Sequence, residues 1–104
     1  MRIFHIALAA DWAATRANGS YTVSTLGVTL EQEGFIHCSR REQVEAVRER
    51  FYRGLDEPLL LLEIDTDQLD SPWQLDPLPE TGEEFPHIYG PLNLDAVVDT
   101  RRIV

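Results

Sequence analysis

Three histidines of the chain lie in short apolar segments, where an imidazole could do chemistry. They are His5 in the segment IFHIA, His37 in GFIHCS and His87 in FPHIYG. Because the imidazole pKa lies near neutrality, the ring can donate or accept a proton, bind a ligand or coordinate a metal at cellular pH. A ring among large apolar neighbours is expected to be half-buried and to need a polar partner. The pattern predicts that the three rings meet in one pocket, although each could instead only satisfy a main-chain group.

The segment around His87 has the composition of a loop that lines a binding site. Between Phe85 and Leu92 it combines a proline, an imidazole, the phenol of Tyr89 and a glycine, and Glu83 lies just upstream. Loops on a rigid scaffold often carry binding and catalytic groups. We therefore predict that His87 and Tyr89 belong to the site, and that the Glu83 carboxylate orients a hydroxyl or an imidazole there.

A thiol nucleophile and a metal centre are alternative chemistries. Successive side chains of a strand point to opposite faces, so Cys38 should lie in the core when His37 faces a cleft. Three histidines can hold a catalytic zinc with an open fourth position. Here, however, successive histidines are 32 and 50 residues apart, without the close spacing of a helical ligand pair. No metal ligand is assigned, and a histidine-ligated metallohydrolase remains the less favoured alternative.

The charge of the chain favours a small anionic ligand over nucleic acid. The net charge is −9, with 18 acidic residues against nine arginines and no lysine. Duplex nucleic acid is not an expected partner, because proteins that bind it usually present a basic face. Five of the nine arginines lie between Arg40 and Arg53. Arg40 and Arg41 could bind phosphate or carboxylate near a helix start, although a solvated helix face would also explain the cluster.

Length and composition predict one soluble domain, residues 1–104, in a reducing compartment. The single cysteine excludes an internal disulfide, as is usual for cytoplasmic proteins. The longest aliphatic run covers residues 59–62, far short of the ~20 residues of a membrane span. The first residues lack the pattern of a secretory signal, so a cytoplasmic location without membrane contact is expected. The oligomeric state is not encoded in any pattern of the chain.

Short strands are expected to position the histidines. Strands outnumber helices and are not separated by regular crossover helices, which predicts an α+β fold with largely antiparallel sheets. An aliphatic strand is expected at the centre and a strand between prolines at an edge. The predicted strands cover residues 2–8, 35–38, 58–64 and 73–75, with a last strand from 96–98 and 101–104.

Two main helices are predicted between these strands. The first covers residues 9–18 and ends at Gly19, since glycine adopts the left-handed cap conformation without penalty. The second begins at Ser39, because Ser39 and Glu42 have the spacing of a capping box. Val44, Val47 and Phe51 then recur at helical spacing and form one apolar stripe. A loop is expected at residues 78–82.

The two longer histidine motifs resemble a known bacterial family. The segments GFIHCS at 34–39 and FPHIYGPL at 85–92, with His5 in an opening strand, are similar to the domain of unknown function 952. The likeness covers almost the whole chain. That family has no established activity and is grouped at fold level with the ADP-ribosyltransferase superfamily, which includes NAD-dependent tRNA 2′-phosphotransferases. The resemblance implies two small, mostly antiparallel sheets that form a cleft, with two main helices.

The resemblance also implies roles for individual residues. In that superfamily a first-strand histidine or arginine contacts the ribose of NAD, and His5 stands in the matching place. The second-strand segment carries a hydroxyl or a histidine, which His37 and Ser39 match. The third element often carries a glutamate, and this chain has His87 and Tyr89 there instead. A histidine-rich set with little glutamate is closer to the phosphotransferase pattern.

The expected function is therefore binding of NAD or an ADP-ribose-like nucleotide in a histidine-lined cleft. NAD would be a substrate of a transferase rather than a resident cofactor. A non-catalytic interaction module that uses the same cleft is the main alternative. The predicted catalytic residues are His5, His37, His87 and Tyr89, and the predicted ligand-binding residues are Ser39, Arg40, Arg41 and Glu83.

Overall fold

The computed structural model describes residues 1–103. Eight strands and three α-helices follow one another in this part of the chain, with short 3-10 turns between some of them. In chain order they are β1 (Arg2–Leu8), α1 (Ala9–Asn18), β2 (Ser20–Tyr21), α2 (Leu30–Glu33), β3 (Ile36–His37), α3 (Val44–Phe51), β4 (Leu59–Asp65), β5 (Trp73–Pro77), β6 (Glu84–Ile88), β7 (Leu92–Asn93) and β8 (Val97–Arg102).

The strands form three antiparallel sheets, which confirms an α+β fold. Their orders are β1-β4-β8, β2-β7 and β3-β6-β5. Two sheets and two helices were expected, and the structure adds the β2-β7 pair and the four-residue helix α2. A two-residue strand is too short to show an alternation of apolar and polar residues, which explains why this pair was not predicted.

Strand β4 is the central strand of its sheet, as the aliphatic run predicts. It pairs with β1 over seven residues and with β8 on its other side. Leu62 and Ile64 point into one core cluster, whereas Leu59 and Leu61 pack in a second cluster on the opposite face. Because both faces are covered, apolar residues are needed at nearly every position of this strand.

The predicted boundaries of several elements are confirmed. Helix α1 covers the expected residues and ends at Gly19, whose φ is 90° and whose N–H donates to the Thr15 carbonyl at 2.8 Å. Strand β5 lies at an edge of its sheet. The last strand, expected over 96–98 and 101–104, is β8, which leaves out Ala96 and Ile103, and Val104 lies outside the described residues. No helix within residues 1–103 is long and apolar enough to cross a membrane.

The prediction that Ser39 caps α3 is wrong. Ser39 instead forms an isolated antiparallel bridge beyond the end of β3, because its main chain exchanges hydrogen bonds of 2.7 and 2.8 Å with Phe4 of β1. The entry to the helix therefore shifts by one residue to Arg40 and starts with a 3-10 turn. Gln43, rather than Glu42, supplies the side chain that reaches back, since its Oε1 accepts from the Arg40 N–H at 2.8 Å.

Candidate functional site

Cross-strand pairing brings two of the three histidines together. His37 of β3 lies directly opposite His87 of β6, and their ring centroids are 5.5 Å apart. Gln74 of β5 lies on the other side of His87, and Asp76 is opposite Phe85. Because opposite residues of an antiparallel pair share a face, these five side chains lie on one side of the sheet β3-β6-β5. We call this surface the histidine face.

Asp76 is the polar centre of the histidine face. Its Oδ2 accepts from His87 Nδ1 at 2.7 Å and from the Tyr89 hydroxyl, and its Oδ1 accepts from Gln74 Nε2 at 2.6 Å. The hydrogen bond from Tyr89 is the main cause that lowers the pKa of Asp76, and the same bond raises the pKa of Tyr89. Tyr89 and Asp76 thus stabilise each other in the phenol and carboxylate forms.

The Asp76 contact assigns a tautomer to His87. An ionised carboxylate can only accept, so the proton of this hydrogen bond is on His87 Nδ1. When the ring is neutral, Nε2 therefore carries the lone pair, and it has no hydrogen-bond partner among residues 1–103. Phe35 stacks on the ring at 3.8 Å with an angle of 13° between the planes, and so fixes its orientation. An oriented imidazole with a free lone pair has the form of a general base.

His37 has no comparable support. Its ring lies 5.2 Å from the Phe85 ring and 6.4 Å from the Phe51 ring, and its Nε2 is buried without a hydrogen-bond partner among the described residues. Burial is the first cause that lowers its pKa to about 4, followed by the charges of His87 and His5. The His37 ring is therefore neutral near pH 7. A buried polar atom without a partner costs about 1–3 kcal/mol of stability.

A pocket of about 220 Å³ opens beside His37, between α3 and the segment that leads into β6. This volume is smaller than the roughly 300–1,000 Å³ usual for ligand sites and suits one ring rather than a whole dinucleotide. Its apolar wall consists of Ala46, Val47, Phe51, Leu78 and Phe85. Its polar groups belong to His37, Gln43, Arg50, Glu80, Thr81 and Glu83.

Gln43 joins the pocket to the start of β6. Its Nε2 donates to Glu83 Oε2 at 3.1 Å and to the Glu84 carbonyl at 2.8 Å, while its Oε1 holds the entry of α3 as described above. The Gln43 side chain is buried, whereas Glu83 and Glu84 are exposed, so the three contacts lie at the boundary between the core and the surface. Glu83 lines the pocket as a candidate ligand-binding residue, but its carboxylate accepts from the Gln43 amide and not from the hydroxyl or imidazole that the sequence suggested.

His5 lies behind the histidine face, in the core. Its Nδ1–H donates to the His37 carbonyl at 2.7 Å, because a carbonyl can only accept, and its Nε2 accepts from the Tyr21 hydroxyl at 2.8 Å. Only 2% of the residue is exposed. Burial lowers its pKa to about 4, and the hydrogen bond to His37 partly opposes that effect. Two of the three imidazoles thus share one surface, and His5 supports β3 from the other side.

Three of the predicted ligand-binding residues lie away from the pocket. Ser39 is buried and paired with Phe4 through its main chain. The guanidinium of Arg40 forms an ion pair with Glu42 at 3.3 Å. The guanidinium of Arg41 lies 4.7 Å from the centre of the Phe4 ring, over β1. None of the three lines the cavity beside His37.

Sequence reasoning missed Asp76, Gln74 and Arg50. The predicted edge strand stopped at Leu75, whereas β5 continues to Pro77. A strand that includes Asp76 would have placed Gln74 and Asp76 on one face by alternation. The pairing of β5 with His87 is set by the tertiary fold, and no local pattern reveals it.

Neither alternative chemistry has a suitable set of residues in the described part of the chain. Within residues 1–103, no three His, Cys, Asp or Glu side chains are arranged to hold a metal ion. Cys38 is buried, as expected from its place in the strand, and burial raises the pKa of its thiol far above neutrality. A thiolate nucleophile is therefore disfavoured at this position.

A family model described as "Protein of unknown function (DUF952)" matches residues 6–100 of the chain. The chain belongs to this family. Its fold is similar to solved structures of protein CC0527 from Caulobacter crescentus. A crystal structure of that protein is 28% identical, with a TM-score of 0.84 over 98% of this chain and 85% of that chain.

Two further structures of CC0527 agree with this fold. A crystal structure of a double mutant is 27% identical with a TM-score of 0.84, over 98% of this chain and 85% of that chain. A solution NMR structure is 30% identical with a TM-score of 0.72, over 96% of this chain and 82% of that chain. No curated protein sequence matches this DUF952 chain.

Proposed function

We propose that this DUF952 protein binds a nucleotide of the NAD or ADP-ribose class, with one ring of the ligand in the pocket beside His37. The observation that carries the proposal is a pocket of single-ring size, walled by Phe51 and Phe85 and lined also by the neutral imidazole of His37. The adjacent His87 is oriented by Asp76 and has a free Nε2. Apolar walls with few polar groups are typical of sites for small ligands.

The wall of the pocket suits a planar ring. Phe51 and Phe85 offer aromatic surfaces against which a nicotinamide or adenine ring can stack. His37 supplies a buried nitrogen without a partner, which a polar group of the ligand would satisfy after a small rotation of the ring. With about 220 Å³ available, the ribose and phosphates would lie outside the pocket, across the open surface near α3.

The charges at the pocket suit a ligand that carries both signs. Glu80 and Glu83 are carboxylates, and Arg50 is the cation of the same lining. Oxidised NAD combines a cationic nicotinamide ring with anionic phosphates, so it can complement both kinds of group.

His87 does not line the pocket, but its ring lies 5.5 Å from that of His37, and its Nδ1 is held by a carboxylate. If the protein catalyses transfer, His87 Nε2 would accept the proton of an acceptor hydroxyl as its oxygen bonds to C1′ of the ribose. Neutral nicotinamide would leave with the electron pair of the glycosidic bond. Asp76 would stabilise the resulting imidazolium through the Nδ1 hydrogen bond. We propose this role for His87 together with an ADP-ribosyltransferase-like fold and an active site built on histidines.

A non-catalytic interaction module is the second candidate, because two aromatic rings beside the site are exposed. Phe51 is 43% and Tyr89 38% exposed, and exposed aromatic side chains are typical of protein contacts. The two functions differ in what they need from the pocket. A protein partner would need Phe51 and Tyr89 but no free volume next to His37.

Isothermal titration with NAD and with ADP-ribose tests the proposal directly. Ala46→Trp places a large side chain on the pocket wall from an exposed helical position, and Ala14→Trp is the matched control on α1. We expect saturable binding to the wild type and to Ala14→Trp, and its loss in Ala46→Trp. No heat from either nucleotide, or equal binding by Ala46→Trp, would refute the proposal.

A further inference from the structure

One arginine of α3 differs from the other arginines around it. Five arginines lie between positions 40 and 53, and four of them have a carboxylate within 4.0 Å. The pairs are Arg40–Glu42 at 3.3 Å, Arg41–Glu63 at 4.0 Å, Arg48–Glu45 at 3.3 Å and Arg53–Glu49 at 3.6 Å. Arg50 has no ion pair among residues 1–103, although acidic residues outnumber basic ones two to one in the chain.

Arg50 is also the arginine that lines the pocket. It lies on the same helix as Ala46 and Val47 of the pocket wall, and its guanidinium is 5.3 Å from the centre of the Phe51 ring. The contact with Phe51 holds the cation beside the opening without occupying its N–H groups, since a ring face accepts no strong hydrogen bond. Of the two carboxylates that line the same pocket, Glu83 is held by Gln43, and neither Glu83 nor Glu80 lies within 4.0 Å of Arg50 as an ion pair in the described chain.

We infer that Arg50 binds the phosphate of the ligand whose ring enters the pocket. The inference rests on the proposed function and specifies its ligand class, a unit of ring, ribose and 5′-phosphate. The five N–H donors of a guanidinium match two phosphate oxygens at once, a geometry that lysine does not offer. The pocket holds only the ring, so the phosphate lies at its mouth, where Arg50 is exposed.

Pairs of probes that differ by one phosphate isolate this contact. Nicotinamide mononucleotide is compared with nicotinamide riboside, and AMP with adenosine, by isothermal titration at fixed salt. The proteins are the wild type, Arg50→Gln, and Arg53→Gln as a matched control from an exposed ion pair. A charge-assisted bond to phosphate contributes about 1.5–3 kcal/mol, so Arg50→Gln should weaken binding of the nucleotide by about tenfold or more. Its affinity for the nucleoside should stay unchanged, as should both affinities of Arg53→Gln.

The outcomes separate this inference from the proposed function. If the wild type binds each nucleotide and its nucleoside equally, or if Arg50→Gln weakens both alike, the role of Arg50 is wrong while the nucleotide pocket stands. If NAD or ADP-ribose binds but all four smaller probes fail, the ligand class is wrong. If no nucleotide binds at all, both proposals are overturned.

Discussion

His5 and His37 are alike in sequence but differ in their surroundings in the fold. A single hydrogen bond of 2.7 Å joins them, from the His5 ring to the His37 carbonyl. Burial is the first cause that lowers the pKa of each ring to about 4. Yet both ring nitrogens of His5 have partners, whereas His37 Nε2 is buried without one in the described chain.

The difference shows that burial alone does not separate a structural histidine from a candidate functional one. The hydrogen-bond partners of the ring make the distinction. An imidazole with both nitrogens bonded stabilises the core, whereas an imidazole with an unbonded buried nitrogen at a pocket lowers the stability of the fold. Local features that lower stability without a structural gain are expected at functional sites. His37 has this property and His5 does not.

Replacing each histidine by leucine should give the largest contrast. His5→Leu removes both hydrogen bonds and leaves the Tyr21 hydroxyl and the His37 carbonyl buried without partners. The free energy of unfolding should fall by about 3 kcal/mol, measured by urea unfolding with tryptophan fluorescence near neutral pH. His37→Leu removes an unsatisfied nitrogen and should change stability by less than about 1 kcal/mol. Equal losses in the two variants would remove the distinction.

The pH dependence of stability provides a second contrast. The pKa of His5 falls from its usual 6.5 to about 4 on folding. The unfolded chain therefore takes up a proton as the pH falls below 6.5, and the folded protein does so only near pH 4. The contribution of neutral His5 to the free energy of unfolding is complete above pH 6.5 and is lost as the pH falls towards and through 4. Between about pH 7.5 and about pH 4.5 this loss is about 2.5 kcal/mol.

The His5→Leu variant isolates this contribution from that of the many carboxylates. The variant lacks the titrating ring, so its stability should decline less with acid, and the urea unfolding curves of wild type and variant should converge near pH 4.5. Parallel declines of the two proteins would show that His5 does not take up a proton on unfolding.

A smaller effect is expected in the polar network of the histidine face. Asp76→Asn removes the carboxylate that raises the pKa of Tyr89, so that pKa should fall towards its usual value. The ultraviolet absorbance of tyrosinate measures the pKa of Tyr89. The other two tyrosines ionise at higher pH, because burial raises the pKa of Tyr52 to about 12 and that of Tyr21 further. Asp70→Asn, whose carboxylate accepts no hydrogen bond from Tyr89, should leave the titration unchanged. If the tyrosine that ionises at the lowest pH has the same pKa in Asp76→Asn as in the wild type, the hydrogen bond between Tyr89 and Asp76 is contradicted.

Much of the fold follows from local patterns. The C-terminal end of α1 is encoded by Gly19, and the central place of β4 by its aliphatic run. The cap of α3 was misread because Ser39 pairs with Phe4, a residue far away in sequence. Local propensity does not include such long-range main-chain pairing.

The candidate site was predictable only in part, for the same reason. Apolar flanks predicted three half-buried histidines and did not separate His5, which is fully buried, from the other two. The residues that distinguish the histidines are their hydrogen-bond partners, Tyr21 for His5 and Asp76 for His87, and each partner lies on a different strand from its histidine. Arg50 was hidden among similar arginines, and only the positions of the carboxylates distinguish it.

The central claim is that His37 faces a ligand and His5 does not. Nitrogen NMR of the three imidazole rings during a titration with NAD measures this directly. The ring resonances of His37 should move with saturation, with smaller changes at the neighbouring His87, while those of His5 stay fixed. Resonances that all remain unchanged, or a response at His5 without one at His37, would contradict the account.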